Sequence, residues 1–182
     1  MLFLYQYFKR LVMIKNNLSV LAKEDVFKMM SDEWMLVTAG NMSSFNMMTA
    51  SWGGLGYLWD RNVAFVFVRP ERYTHDFIER EGRMTLSFYG EEYRKALQFC
   101  GVKSGRNFNK ARETGLTPVP TETEGVTFAE ARLTLDCRIL FKTEMTEDAF
   151  MDQAVFNEWY KGPKGGGFHT IYVVEIENVY TK

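Results

Sequence analysis

The feature that most constrains the fold is a two-residue alternation over residues 133–141. Apolar side chains occupy every second position from Leu133 to Phe141, and they alternate with the polar or charged side chains Arg132, Thr134, Asp136 and Arg138. This period is typical of a β-strand that turns one face to the core. Residues 83–88 repeat the pattern. Residues 63–68 are all apolar, which is typical of a strand buried on both faces.

The other segments predict more strands, with short helices in the connections between them. Further strands are expected at residues 34–39, 47–53 and 168–180, and helices at 23–30, 91–101 and 107–114 and after Thr74 and Thr146. Gly53 and Gly54 are interpreted as a turn or bulge that ends a strand. Helices do not alternate regularly with strands, which argues against a doubly wound parallel sheet. A mainly β chain, folded as an antiparallel barrel with short helices, fits better because closure removes exposed strand edges.

The chain contains no repeat or linker, so residues 23–182 are predicted to form one domain. Residues 1–22 are predicted to be an N-terminal extension, poorly ordered or peripheral. The first twelve residues are interpreted as a translation-start extension or a disordered arm, since Met13 opens a more ordinary start. The apolar run at residues 1–8 is too short to span a bilayer and lacks the order of a signal peptide. No membrane association and a cytoplasmic location are expected.

Composition excludes several classes of function. An apolar fraction of 46% and an aromatic fraction of 15% exclude a disordered chain, and a net charge of −1 without charge blocks gives no footprint for nucleic acid. Cys100 and Cys137 have apolar neighbours and are expected to be reduced core thiols, with a redox pair as the alternative. The two histidines and two cysteines are too widely spaced for a metal site, so none is predicted.

Residues 45–54 are the strongest candidate for ligand binding. They combine small hydroxyls, apolar bulk and two glycines, as a planar ligand with a polar edge such as a flavin ring requires. Backbone amides near Thr49, Ser51 and Trp52 could meet the polar edge, and Met47 and Met48 could form an apolar platform. The alternative is an ordinary strand with two surface hydroxyls and a core tryptophan. The candidate ring-binding residues are Asn46, Met47, Met48, Thr49, Ala50, Ser51 and Trp52.

Two later segments could hold a phosphate. Arg69, Arg72 and Thr74 lie where a strand ends and a helix begins, and a helix N-terminus beside an arginine suits an anion. The alternative is a capping threonine with two solvated arginines. Residues 100–106 form a basic loop, punctuated by glycine, that carries Lys103, Ser104 and Arg106. That loop could equally be a helix connector with solvated charges.

In order along the chain, these segments resemble the FMN-binding split-barrel family, in its flavin-reductase-like and flavoredoxin branch. The matching patterns are N-x-x-T-x-S-W at residues 46–52, R-x-T at residues 72–74 and C-G-x-x-S-G-R at residues 100–106. The resemblance implies an antiparallel split β-barrel that forms a homodimer, with FMN in a groove at the subunit interface. It also implies that Arg72 and Thr74 hold the phosphate and that Ser104 and Arg106 close over the phosphate and the ring edge.

A fourth segment, beginning at Gly166, resembles the G-D-H-x-x-x-x-G-E stretch of flavin reductases. Its histidine is His169, which could contact the cofactor, position the nicotinamide or shuttle a proton at neutral pH. Phe168 replaces the usual aspartate and Val174 the usual glycine, which weakens a specific contact with nicotinamide. The alternative is a hydrogen-bonded structural histidine. His75 is expected on a helix surface.

Three functions follow as hypotheses. The first is an enzyme that transfers hydride from NADH or NADPH to FMN and then supplies a redox partner protein or monooxygenase. Lys103 or Arg106 would favour the reduced anionic flavin in that case. The second is an FMN-carrying electron-transfer protein without nicotinamide activity of its own, which the substitutions at Phe168 and Val174 favour. The third is a barrel that keeps the shape without a cofactor.

Overall fold

A computed structural model describes residues 13–163 and 165–182. Its centre is an eight-stranded antiparallel sheet. The strands of this sheet are β1 (Ile14–Asn16), β2 (Met35–Asn41), β3 (Ser44–Ala50), β4 (Gly53–Leu58), β5 (Arg61–Val68), β6 (Arg83–Phe88), β9 (Leu133–Glu144) and β10 (Thr170–Thr181). They lie in the order β3-β2-β6-β9-β10-β5-β4, and β1 adds to β10. A separate hairpin joins β7 (Pro118–Pro120) and β8 (Val126–Phe128).

Short helices fill the connections. The α-helices are α1 (Val26–Lys28), α2 (Tyr73–Glu81), α3 (Arg94–Val102), α4 (Lys110–Thr114) and α5 (Gln153–Phe156). Helices α1 and α5 continue as π-helical turns at Met29–Glu33 and Asn157–Lys161, and 3₁₀ turns occur at Leu18–Lys23, Glu91–Tyr93 and Glu147–Ala149. None of the helices in the described residues has both the length and the apolar character needed to cross a bilayer.

The residues with the alternating pattern form a strand, β9, as predicted. β9 pairs along its length with β10 and on its other side with β6, so it lies near the middle of the sheet. Its apolar face, with Leu135 and Cys137, packs in one large core cluster with Met84 and Val174. The mainly antiparallel split-barrel prediction is confirmed, and the sheet does not close, because β3 and β4 are its two ends.

The candidate ligand-binding segment lies at the split, which is the opening between the two ends of the sheet. β3 and β4 follow each other in sequence, yet they stand at opposite ends of the sheet and are joined only by Ser51 and Trp52. The chain therefore crosses the opening of the barrel at these two residues. A ligand that enters the split would meet this crossing directly.

The interpretation of Gly53 and Gly54 as a terminating turn or bulge is wrong. Both residues belong to β4, which pairs with β5. A Cβ on Gly53 would lie 2.6 Å from the Phe65 carbonyl oxygen and 2.9 Å from Met35 Cε. Glycine is thus needed because the strand approaches its neighbours closely.

Substituting Gly53 with alanine is expected to lower the free energy of unfolding by about 1–3 kcal/mol, because the backbone at Phe65 would have to move. Gly54 is the matched control, since a Cβ there meets nothing within 4 Å. Urea unfolding of both variants measures the difference. Equal destabilisation by the two alanines would contradict the close-approach explanation.

Other boundaries also differ from the sequence prediction. The hairpin between β2 and β3 is tight, so residues 40–41 and 44–46, for which no strand was predicted, belong to these two strands. The β7–β8 hairpin and helix α5 were not predicted. Residues 1–12 of the predicted extension lie outside the described residues. Within residues 13–22, β1 pairs with β10, and Leu18, Val20 and Leu21 pack against the main core.

Candidate functional site

A cleft of about 280 Å³ lies at the split of the barrel. It is bounded by the end of β3 and the crossing to β4, the end of β5, and the segment that precedes β10. Eight of the predicted site residues line it. These are Met48, Thr49, Ala50, Ser51, Trp52, Arg69, Arg72 and His169. Phe67 and Trp159 complete the lining and were not predicted.

A second, smaller cavity of about 100 Å³ adjoins the cleft, and Arg72 lines both. It brings together four more of the predicted site residues, from three separate parts of the chain. Those residues are Asn46 from β3, Thr74 from α2, and Lys103 and Ser104 from the loop between α3 and α4. We name this second cavity the anion corner, because Arg72, Lys103 and Lys110 all line it.

Arg72 is the most informative residue of the anion corner. Its backbone is the N-cap of α2, and its Nη2 atom is buried without a hydrogen-bond partner in the described structure. Burial lowers the pKa of its guanidinium. A buried N–H group of a cation without an acceptor is costly, and a phosphate at the N-terminus of a helix would supply the missing acceptor. The corner therefore fits a phosphate group.

Lys110 is a functional candidate that sequence reasoning did not include in the site. Its amine is buried and donates to the carbonyl oxygens of Met47 (2.7 Å) and Cys100 (2.8 Å). Burial, opposed by Cys100 and helped by the nearby cation of Arg72, lowers its pKa to about 8. An ammonium group has three donors, so one remains for an anion. The only sequence signal was its position just after the basic loop.

Thr74, the candidate cap of helix α2, does not cap the helix and makes a different contact. Arg72, not Thr74, is the N-cap of α2. The Thr74 hydroxyl is buried and accepts a hydrogen bond of 2.8 Å from Asn46 Nδ2. A Cβ on Gly105 would lie 1.8 Å from Asn46 Oδ1, so only glycine allows the basic loop to pack this closely on β3. These contacts hold the anion corner in shape.

Some predicted residues have other partners. The Thr49 hydroxyl donates to the Leu97 carbonyl oxygen (2.6 Å), which ties β3 to α3. Met47 is buried in a second core cluster and does not line the cleft, whereas Met48 does. Arg106 lies outside both the cleft and the corner, where it pairs with Asp76 at 2.7 Å. The structure therefore does not bring Met47 and Arg106 to the predicted ring and phosphate positions.

His169 is nearly buried at the cleft wall. Its Nδ1 atom lies 2.8 Å from the Tyr160 hydroxyl, and its ring centroid lies 5.1 Å from that of Trp52. Burial lowers its pKa to about 4, helped by the Arg69 cation and opposed by Glu71. The imidazole is therefore neutral at pH 7, which argues against a proton shuttle at that pH and favours a hydrogen-bonded positioning role.

Arg69 holds the wall of the cleft together. Its Nη2 donates to the Trp159 carbonyl oxygen (3.1 Å), and its guanidinium lies 5.6 Å from the Tyr160 ring centroid. Burial by itself would raise the pKa of neighbouring Glu71, but backbone amides, including that of Gly167, and the Arg69 cation lower it overall. Arg69 is thus placed to fix the segment before β10 rather than to reach into the anion corner.

The other cysteine and histidine side chains line neither the cleft nor the anion corner. Cys100 and Cys137 are buried free thiols, and burial raises the pKa of Cys100 to about 11. His75 is partly buried, with Nε2 3.2 Å from the Thr170 hydroxyl, rather than on the open helix surface. Among the described residues no cluster of histidine, cysteine and acidic side chains could hold a metal ion.

Comparison with known proteins gives one family and one fold. The sequence profile described as "Flavin reductase like domain" matches residues 27–182. No curated protein matches the sequence. Among solved structures, flavoredoxin from Methanosarcina acetivorans is similar, with a TM-score of 0.65 and 20% identity over 82% of this chain and 68% of the other.

Two further structures show the same fold. An FMN-binding domain of a flavin reductases-like enzyme from Shewanella baltica OS155 has a TM-score of 0.64 and 14% identity, over 93% of this chain and 77% of the other. An NADH:FAD oxidoreductase from Streptomyces globisporus C-1027 has a TM-score of 0.61 and 18% identity, over 82% and 75%. At these identities the likeness establishes the fold.

Proposed function

Since the chain belongs to the flavin reductase-like family, we propose that it binds FMN and accepts hydride from NADH or NADPH. The observation that carries this proposal is Arg72, whose Nη2 atom is buried without an acceptor at the junction of cleft and anion corner. The cleft suits a planar ring, and the corner beside it suits a phosphate. A mononucleotide flavin combines the two.

The chain's own residues would divide the work of binding. Met48 and the backbone of residues 49–52 would contact the ring, and Arg72, Lys103, Ser104 and Lys110 would hold the phosphate. When bound, FMN supplies hydride acceptance and onward electron transfer. Trp52 and Trp159, packed edge to face at 5.0 Å, would exclude water from one side of the cleft. His169 would position Tyr160 as a neutral partner.

An electron carrier without nicotinamide activity is the second candidate. Phe168 stands where flavin reductases carry an aspartate, and its ring stacks on Tyr160 at 5.3 Å. The substitution therefore places an apolar ring against Tyr160, where a polar group would be available to nicotinamide. Either candidate function would deliver electrons to a redox partner protein or a monooxygenase.

We also propose that the chain forms a homodimer and that it works in the cytoplasm. Tyr57, Trp59 and Phe141 are exposed, and the rings of Trp59 and Phe141 lie 6.2 Å apart, which suits a homodimer contact. Two buried cysteines without a disulfide suit the cytoplasm.

Anaerobic mixing of the FMN-loaded protein with NADH or NADPH tests the proposal. We expect the visible flavin absorbance to bleach within seconds with at least one of the two nucleotides. Bleaching only by dithionite or by a reduced protein partner would establish the carrier instead. A protein that retains no FMN after gel filtration and shows no saturable FMN titration would reject both.

A further inference from the structure

A second pocket lies against the cleft and has a different chemistry. Its volume is about 380 Å³, and its lining is almost wholly apolar. Five aromatic side chains dominate it, with Val155 at its rim. The five are Trp52, Phe67, Phe150, Trp159 and Tyr160. We name it the aromatic pocket.

The segment between β9 and β10 builds this pocket. Helix α5 continues as the π-helical turn Asn157–Lys161, which carries Trp159 and Tyr160. π-helical turns are rare and occur frequently at functional sites. Arg69, from the cleft wall, holds the turn through the Trp159 carbonyl oxygen. The pocket is therefore a fixed part of the same wall that forms the cleft.

The pocket and the cleft share their dividing wall. Trp52, Phe67 and Trp159 line both of them. A molecule in the aromatic pocket would therefore be separated from a ring in the cleft by no more than these side chains. This places the occupant within reach of electron transfer from the cleft.

The lining is also electrically neutral. The Tyr160 hydroxyl is engaged by His169 Nδ1 and donates to Met145 Sδ (3.3 Å), and burial raises its pKa, so it stays neutral. None of the described residues that line the pocket is a lysine, arginine or carboxylate. A nicotinamide dinucleotide carries two phosphates, which need cations or convergent amides. The pocket therefore disfavours nucleotides and suits an uncharged ring, which aromatic side chains accept by stacking.

We propose that the aromatic pocket binds a small, uncharged, planar aromatic electron acceptor, with simple quinones as the model class. This rests on the proposed function, because the electrons arrive through the cofactor cleft. The overall reaction balances. NAD(P)H gives a hydride and solvent gives a proton, the two C=O groups of the quinone become C–OH, and NAD(P)⁺ and hydroquinone are released.

Calorimetric titration of the full-length, FMN-loaded protein with menadione tests the proposal. We expect saturable binding, weakened at least tenfold by Val155→Trp, which fills the rim, and by Val155→Asp, which places a charge there. Val155 is 45% exposed, so both variants should fold, and it does not line the FMN cleft. Met151→Trp is the matched control, because Met151 is 96% exposed and does not line the pocket.

A charged analogue gives an independent readout. A naphthoquinone sulfonate of similar size should bind at least tenfold more weakly than menadione, because its charge would be buried without a partner. Equal affinity for the two quinones, or a menadione affinity that neither Val155 variant changes, would overturn the proposal. The proposal would also be overturned if menadione did not bind and a Val155 variant converted a dimer into a monomer. The aromatic pocket would then be occupied by a second copy of the chain.

The outcome is separable from that of the proposed function. FMN titration of the same preparations should give equal affinities for wild type and both Val155 variants. Binding of FMN without binding of menadione would reject the aromatic-pocket proposal alone. Binding of menadione to a protein that takes no FMN would reject the proposed function and leave the pocket as a binding site.

Discussion

Replacing Arg72 with leucine is expected to weaken FMN binding by about 10–100-fold and to leave riboflavin binding nearly unchanged. A hydrogen bond to a charged group contributes about 1.5–3 kcal/mol, which corresponds to that range. Riboflavin lacks the phosphate, so its affinity should not depend on the guanidinium. The unpartnered Nη2 atom is the structural reason for the size of the effect.

Arg80→Leu is the matched control, because Arg80 lies on the same helix, is largely exposed and pairs with Glu81. Fluorescence quenching titrations of wild type and both variants with FMN and with riboflavin measure the six affinities. Equal weakening of FMN and riboflavin by Arg72→Leu would show that Arg72 shapes the ring cleft rather than holds the phosphate. The ligand-free Arg72→Leu protein should be at least as stable as wild type, since a partly buried cation whose Nη2 atom lacks an acceptor is removed.

Much of the sheet could be read from the sequence, because its strands carry a periodic signal. Leu133–Glu144 and Arg83–Phe88 lie close to the stretches where side chains alternate, and Arg61–Val68 contains the continuous apolar run. Gly53–Leu58 was missed because three of its six residues are glycine, which reads as a turn. The glycine at position 53 is required by a close approach that only tertiary structure reveals.

The site residues likewise divide into those that a local sequence pattern reveals and those that only the tertiary structure reveals. The residues at 46–52 and 72–74 form recognisable local patterns, and the structure places most of them at one cleft and its corner. Lys110 and Trp159 carry no local pattern. Their roles depend on where α4 and the π-helical turn pack, which is a tertiary contact. Arg106 matches a sequence pattern, yet it lies outside the corner and pairs with Asp76.

Lys110 makes the affinity for FMN depend on pH. Its pKa in the ligand-free protein is about 8, well below the ordinary value of 10.5. A phosphate stabilises the charged amine, so binding above pH 8 must be accompanied by proton uptake. The second pKa of a phosphate monoester is about 6, so the ligand is already a dianion there. We therefore expect constant affinity between about pH 7 and 8 and a fall of up to tenfold per unit above pH 8.

Stability should change in the opposite direction. Between pH 8 and 10.5 the unfolded chain keeps the Lys110 proton that the ligand-free folded protein has lost, so this group's contribution to the free energy of unfolding rises with pH. The nearby cation of Arg72 stays charged over this range. Burial raises the pKa of the neighbouring Cys100 thiol from 9.0 to about 11, so above about pH 9 the folded protein keeps a thiol proton that the unfolded chain loses, and this contribution to the free energy of unfolding falls with pH. We therefore expect the rise due to Lys110 to show between about pH 8 and 9 and to be offset above pH 9.

The pH dependence of FMN affinity should disappear in Lys110→Met and persist in Lys103→Met, a lysine of the same corner without the buried hydrogen bonds. Riboflavin affinity should be flat over the same pH range in all three proteins. Titrations from pH 7 to 10 measure the slopes. If Lys110→Met kept the wild-type slope, the proton taken up on binding would belong to another group, and Lys110 would serve only to join the carbonyls of Met47 and Cys100. A slope lost in Lys103→Met as well would mean that the two amines titrate as a coupled pair across the corner, because each then sets the charge that the phosphate meets.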